Sequence, residues 1–139
     1  LYEDTMAAVL PADHPLAANE SLPLEALCKD PFILLDEGRY SIPSAVYEKA
    51  HLHLNIAYKI YDDYTILAMI RQKMGISILY RLVVSGFADD LIVRPLTPEI
   101  SRTIYLACLH YRTMSASARA FYDFIKQEAP DIVKRTLSF

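Results

Sequence analysis

Catalysis and metal binding each need particular side chains at particular spacings, and this 139-residue chain supplies few of them. Of its four histidines, His51 and His53 stand two apart, a spacing that sends them to different faces of a helix, so they read as surface residues rather than a metal pair. His14 precedes Pro15 in a turn and His110 ends a candidate strand; neither has a cysteine or carboxylate at ligand spacing. Cys28 and Cys108 lie far apart with no CxxC and read as two buried thiols, not a disulfide. The three glycines, Gly38, Gly75 and Gly86, cannot compose a GxGxxG fingerprint, a phosphate loop or a GxSxG elbow. Ser77 falls inside a predicted buried strand, where a nucleophile would be unreachable. No catalytic residue, metal site or cofactor is assigned, and the chain reads as a non-enzyme.

In an open α/β sheet, ligands gather beyond the carboxyl ends of the strands, where loops meet helix N-termini with free N–H groups. Two stretches qualify: Asp36-Glu37-Gly38-Arg39-Tyr40-Ser41 and Tyr61-Asp62-Asp63-Tyr64-Thr65. They carry Arg39, Tyr40, Tyr61, Asp62, Tyr64 and Thr65, polar and aromatic side chains of the kind that line small-molecule sites. Each has a structural reading beside the functional one: Asp62 or Asp63 as a helix cap, Thr65 as a first-turn residue, the tyrosines as amphipathic packing. Asp36, Glu37, Asp62 and Asp63 place four carboxylates there against one arginine, so a strongly anionic ligand would meet repulsion.

The elements that must position these loops follow from hydrophobic period. Short runs rich in Ile, Leu, Val and Tyr at 6–10, 31–35, 56–61, 76–79, 91–95 and 103–109 predict buried, largely parallel strands, and alternation with helical segments predicts an α/β fold. One helix is expected over 42–54, with Ser41 as cap, Pro43 in the first turn, and Val46, Ala50 and Leu54 at four-residue spacing. A second runs over 63–73, capped by Asp62 or Asp63. Ile66, Leu67, Ile70 and Met74 form its buried stripe, and Gly75 ends it as a left-handed residue. A third, over 115–128, carries Ala118, Phe121, Tyr122 and Ile125 on one face and should stop where Ala129 meets Pro130. A helical turn is placed at 24–28, and surface connections at 13–22 and 97–101.

With 53% hydrophobic and 22% charged residues, the chain has the content of one ordinary domain. A net charge of −3, with Lys and Arg scattered, leaves no basic surface for nucleic acid. No apolar run approaches the ~20 residues of a membrane span. The start has no basic region before an apolar run, as a signal peptide would, and the expected compartment is the cytoplasm. The abrupt opening LYEDTMAAVL reads as an internal start.

In chain order the motifs are Ala12-Asp13-His14-Pro15-Leu16-Ala17, then Pro31-Phe32-Ile33-Leu34-Leu35, Asp62-Asp63-Tyr64-Thr65-Ile66 and Met74-Gly75-Ile76-Ser77-Ile78-Leu79. They continue with Arg94-Pro95-Leu96, Arg102-Thr103-Ile104-Tyr105-Leu106-Ala107 and Ser117-Ala118 before Phe121. This succession, covering about residues 6–128, resembles the effector-binding (substrate-binding) domain of LysR-type transcriptional regulators in its C-terminal portion. Order and spacing carry the likeness, since each motif alone is weak; Tyr80 departs from it, standing where the family usually has proline. The resemblance implies a Rossmann-like three-layer subdomain of the type 2 periplasmic-binding-protein-like fold, truncated at the N-terminus. Residues 11–97 would be the second subdomain. Residues 1–10 and 98–139 would be the crossover strands and a helix returning toward an absent first subdomain. It further implies a small-molecule effector bound between lobes, contacted from the second-subdomain side by Arg39, Tyr40, Tyr61, Asp62, Tyr64 and Thr65, DNA contact only through an absent N-terminal helix-turn-helix, no membrane partner and a homo-oligomer. The alternatives are a lobe of a transport solute-binding protein, which shares the architecture, and a small flavodoxin-like enzyme, which would need a phosphate loop. The last helix needs burial against the remaining subdomain or a neighbouring chain, and effector binding by this half alone should be weak or absent.

Overall fold

The computed structural model describes residues 1–38 and 41–136. The chain divides into two compact units, residues 5–100 and residues 1–4 with 101–139.

In the larger unit, β1 (Tyr2–Leu10) is followed by β2 (Leu22–Pro23), β3 (Phe32–Leu35), α1 (Ile42–Lys49), β4 (Ile56–Ile60) and α2 (Asp63–Arg71). Then come β5 (Ser77–Tyr80), α3 (Arg81–Val84) and β6 (Ile92–Thr97). Strand β1 lies between β5 and β6 and runs antiparallel to both, while β2 pairs β6 in parallel and β3 pairs β4 in parallel. Ile33 N–H donates to the Ile76 carbonyl at 2.8 Å and Ile76 N–H to Pro31 at 2.9 Å, which sets β3 beside β5 in the parallel sense. Five strands therefore share one direction and β1 alone opposes them.

Alternation along each strand divides the core. Met6, Ala8 and Leu10, with Phe32, Leu34, Ile78 and Tyr80, face α1 and the 310 turn Leu24–Leu27; Val9, Ile33 and Leu79 face Ile66, Leu67 and Ile70 of α2. The expected three-layer architecture is present. Buried hydroxyls fix neighbouring elements: Tyr47 of α1 donates to the Leu24 carbonyl of the 310 turn at 2.9 Å, and Ser77 of β5, as expected buried, donates to the Ile33 carbonyl of β3 at 2.7 Å.

Several boundaries differ from expectation, each for a local reason. Helix α1 stops at Lys49, short of Leu54, because His51 adopts φ 56° and closes a Schellman motif: its N–H donates to Glu48 and that of Leu52 to Tyr47. His53 is thus not helical, and the two-faces argument for the histidines lapses; among the described residues no cluster of metal-binding side chains forms. Helix α2 ends the same way through Lys73 (φ 57°), with Lys73 N–H on Ile70 and Met74 N–H on Met69. Gly75 is not the left-handed residue. Its missing Cβ lets the chain pass Pro31, whose carbonyl oxygen would lie 2.4 Å from a built Cβ. Met74, outside the helix, is 40% exposed instead of buried. Strand β4 is exposed along most of its length, since it lies at the end of the sheet. Cys28 is half-buried and Cys108 exposed, both free thiols. His14, which has no carboxylate at ligand spacing in the sequence, meets Asp30 in space at 3.4 Å.

The smaller unit holds the start of β1, β7 (Ser101–Ile104), the 310 turn Tyr111–Thr113 and α4 (Ala116–Thr136). β7 pairs β1. The strand expected to Leu109 stops at Ile104: Tyr105 is 77% and Leu109 96% exposed. His110 precedes the 310 turn instead of ending a strand. Helix α4 runs through Pro130 to Thr136; proline's fixed φ is helical, so the cost is one missing N–H donor and local crowding rather than a stop. Phe121 and Phe124 on it stay exposed, Ala118, Tyr122 and Ile125 are half-buried, and Tyr111 packs edge-on against Tyr122 at 5.4 Å.

Candidate functional site

The shared direction of β3, β4 and β5 brings their carboxyl ends to one edge of the larger unit, followed there by the loop after Leu35, the Tyr61-Asp62 turn and α3. Asp36 N–H donates to the Ile60 carbonyl at 2.8 Å, so the first two loops start side by side. Asp36 then folds its own loop: its Oδ1 accepts from Gly38 N–H at 3.0 Å, and Gly38 takes φ 94°, which a side chain would resist.

Asp62 caps α2. Its Oδ2 accepts both the Thr65 N–H and the Thr65 hydroxyl, each at 2.7 Å. The hydroxyl first, and the N–H after it, hold the Asp62 carboxyl below its ordinary value. The Asp62 alternative between the two candidate caps is therefore the one realised. The consequence for binding is specific: the Thr65 proton is committed to Asp62, leaving Thr65 only acceptor lone pairs, and Asp62 keeps Oδ1 for a donor.

Of the six predicted residues, Asp62 and Thr65 are in direct contact, and Tyr61 stands beside them 79% exposed. Tyr64 packs elsewhere, edge-on against Phe87 at 5.0 Å between ring centroids. Arg39 and Tyr40 lie outside the described residues. Phe87, a residue no sequence pattern marked, follows Gly86 in the turn after α3 and is itself 52% exposed. Its carbonyl accepts from Arg71 at 2.5 Å, and Arg71 also holds Asp90 at 2.8 Å, which fastens the far end of α2.

Cavities occur elsewhere on the unit. One of about 480 Å³ lies along α1 and the segment after it, between Tyr47, His51, Leu54 and Ile56. Another, of about 230 Å³, lies at the amino ends of β3 and β5 among Asp13, His14, Asp30 and Lys73. Neither is lined by Tyr61, Asp62, Tyr64 or Thr65. The described part of the candidate site offers carboxylates, a hydroxyl and the exposed Tyr61, groups able to hydrogen-bond a small polar molecule.

The LysR substrate binding domain family model matches residues 1–130. The chain belongs to this LysR family. It is 32% identical over 129 residues to the HTH-type transcriptional regulator YvbU of Bacillus subtilis (strain 168), covering 91% of this chain and 44% of that relative. HinK, a LysR family transcriptional regulator from Pseudomonas aeruginosa, matches at 26% identity and a TM-score of 0.73, over 91% of this chain and 46% of its own. The effector binding domain of QuiR, solved in complex with shikimate, shares the fold at 22% identity and a TM-score of 0.73, over 89% of this chain and 60% of that one. The LysR chain described here thus spans less than half the length of YvbU and HinK. Among its described residues no helix is long and apolar enough to cross a membrane.

Proposed function

We propose that this chain is the second-lobe half of the ligand-sensing domain of a LysR-type regulator, reading a small effector at the rim formed by the loops after β3 and β4. The carrying observation is the family match over residues 1–130, combined with a capped helix N-terminus and polar loops gathered at one edge of a largely parallel sheet. Residues 11–97 form the second Rossmann-like subdomain; residues 1–10 and 98–139 cross toward a first subdomain carried outside this chain, as the greater length of the relatives supports. The exposed Phe121 and Phe124 of α4 belong to the face that subdomain covers.

Tyr61, Asp62 and Thr65 contact the effector, together with Arg39 and Tyr40, and Tyr64 supports them through its packing on Phe87. With Asp36, Glu37, Asp62 and Asp63 on this side, the group facing it is neutral or cationic. Effector binding shifts the equilibrium between lobe arrangements, and the attached helix-turn-helix, outside this chain, changes how a homo-oligomer sits on promoter DNA in the cytoplasm. The chain itself is no enzyme. That its relatives are regulators favours sensing over transport.

The test is a thermal-shift screen of neutral, cationic and anionic metabolites. Support is a saturable rise in melting temperature that disappears in Tyr61→Ala, a change at an exposed side chain that leaves the unliganded midpoint in place. A rise of equal size in the variant would remove Tyr61 and its loop from the site.

A further inference from the structure

The chain passes between its two units at two places, 4–5 and 100–101, and these crossings are neighbours: Met6 N–H donates to the Ile100 carbonyl at 2.8 Å. Just on the smaller unit's side, the strand pattern breaks. In β1 the positions Asp4, Met6, Ala8 and Leu10 alternate onto one face, and the last three lie in the core. Asp4 continues that row and is itself fully buried, a carboxylate where the period calls for an apolar residue. Across from it, Arg102 of β7 donates from Nη2 to Asp4 Oδ2 at 3.1 Å, with a third of its side chain still exposed. The opposite face carries a second tie, the Ser101 hydroxyl on Glu3 Oε1 at 3.0 Å.

A buried carboxylate is costly unless paired, and replacing such pairs with apolar residues is often neutral for stability. What the pair adds is specification. A four-residue strand such as β7, whose side chains are exposed or half-buried, has little apolar burial to fix its register, and a one-residue slip would move Arg102 to the other face, away from Asp4. We propose that Asp4 and Arg102 are positioning residues that pin the returning strand to the outgoing one, making the two crossings a single ribbon instead of two independent tethers. If the function proposed above holds, the outgoing and returning strands then respond to an effector as one element. The pin itself is tested without any ligand, so its failure and that of the sensing role are separable.

Hydrogen exchange of the β7 amides, read by mass spectrometry on the 139-residue chain, decides it. Asp4→Asn and Arg102→Met should each speed exchange over Ser101–Ile104 by about tenfold or more, while β3 and β5 keep their protection. The double variant should be no faster than the faster single one, and Arg102→Lys, which keeps the charge without the fork, should fall between. Should Asp4→Asn fail to fold, Arg102→Met and Arg102→Lys carry the test, because Arg102 is partly exposed. Unchanged exchange in Arg102→Met, or a double variant whose acceleration is the product of the two single ones, would overturn the proposal.

Discussion

Single side chains in this protein hold positions by excluding alternatives, and Gly75 shows it most directly. A methyl group there would sit 2.4 Å from the Pro31 carbonyl oxygen, so Gly75→Ala should destabilise the chain by about 1–3 kcal/mol as β3 and β5 are forced apart, read as a lowered urea midpoint. Tyr47 is a buried phenol on the Leu24 carbonyl, and Tyr47→Phe should cost about 1 kcal/mol. Burial pushes the Tyr47 phenol above its ordinary value of 10.0. A raised acid loses its stabilising contribution as pH climbs from the unfolded value through the folded one. The wild type should therefore lose stability above about pH 10, and Tyr47→Phe should flatten that part of a urea-midpoint profile. Little of this was legible in the sequence: Gly75 was marked as special, but for a left-handed bend, because a glycine needed for close approach and one needed for positive φ look alike in one sequence.

At the scale of elements, period and punctuation told different amounts. Strands β3 and β5 are covered on both faces, so they read as unbroken apolar runs and were visible from composition. The first residues of β1 were not, because Glu3, Asp4 and Thr5 are polar and the pairing of β1 with β7 shows only in space. Helix starts were legible through Ser41 and Asp62, whose side chains do cap. Helix ends were not, because His51 and Lys73 take the left-handed role usually given to glycine. His51→Gly should therefore raise stability by up to ~1 kcal/mol, measured by chemical denaturation; a clear loss would mean the imidazole contributes beyond its backbone. The α2 cap carries a pH signature. Since the Asp62 carboxyl is held below its ordinary value of 3.8, its stabilisation is present above that value and lost as pH falls through the lower folded one. Asp62→Asn should keep most of the cap and weaken that acid dependence, seen as a shallower melting-temperature profile below pH 4.

For the molecule as a whole, the larger unit is a three-layer body with helices packed on both faces of its sheet, whereas the smaller offers Tyr105, Leu109, Phe121 and Phe124 to solvent. The apolar run after Ile104 has strand composition, and a strand forms only where a neighbour offers hydrogen bonds, which sequence cannot supply. The architecture was legible because order and spacing of weak motifs add up; the candidate site was less so, since residues such as Asp62 and Thr65 already have a role in capping the helix. The most direct test of the sensing role is an NMR titration of the 139-residue chain with neutral and cationic metabolites, following amide shifts residue by residue. The account predicts saturable shifts confined to Asp36–Gly38 and Tyr61–Thr65, with an affinity weaker than about 1 μM because one lobe contacts only one side of the ligand. Shifts centred instead on the cavity beside α1, or sub-micromolar binding by this half alone, would contradict it.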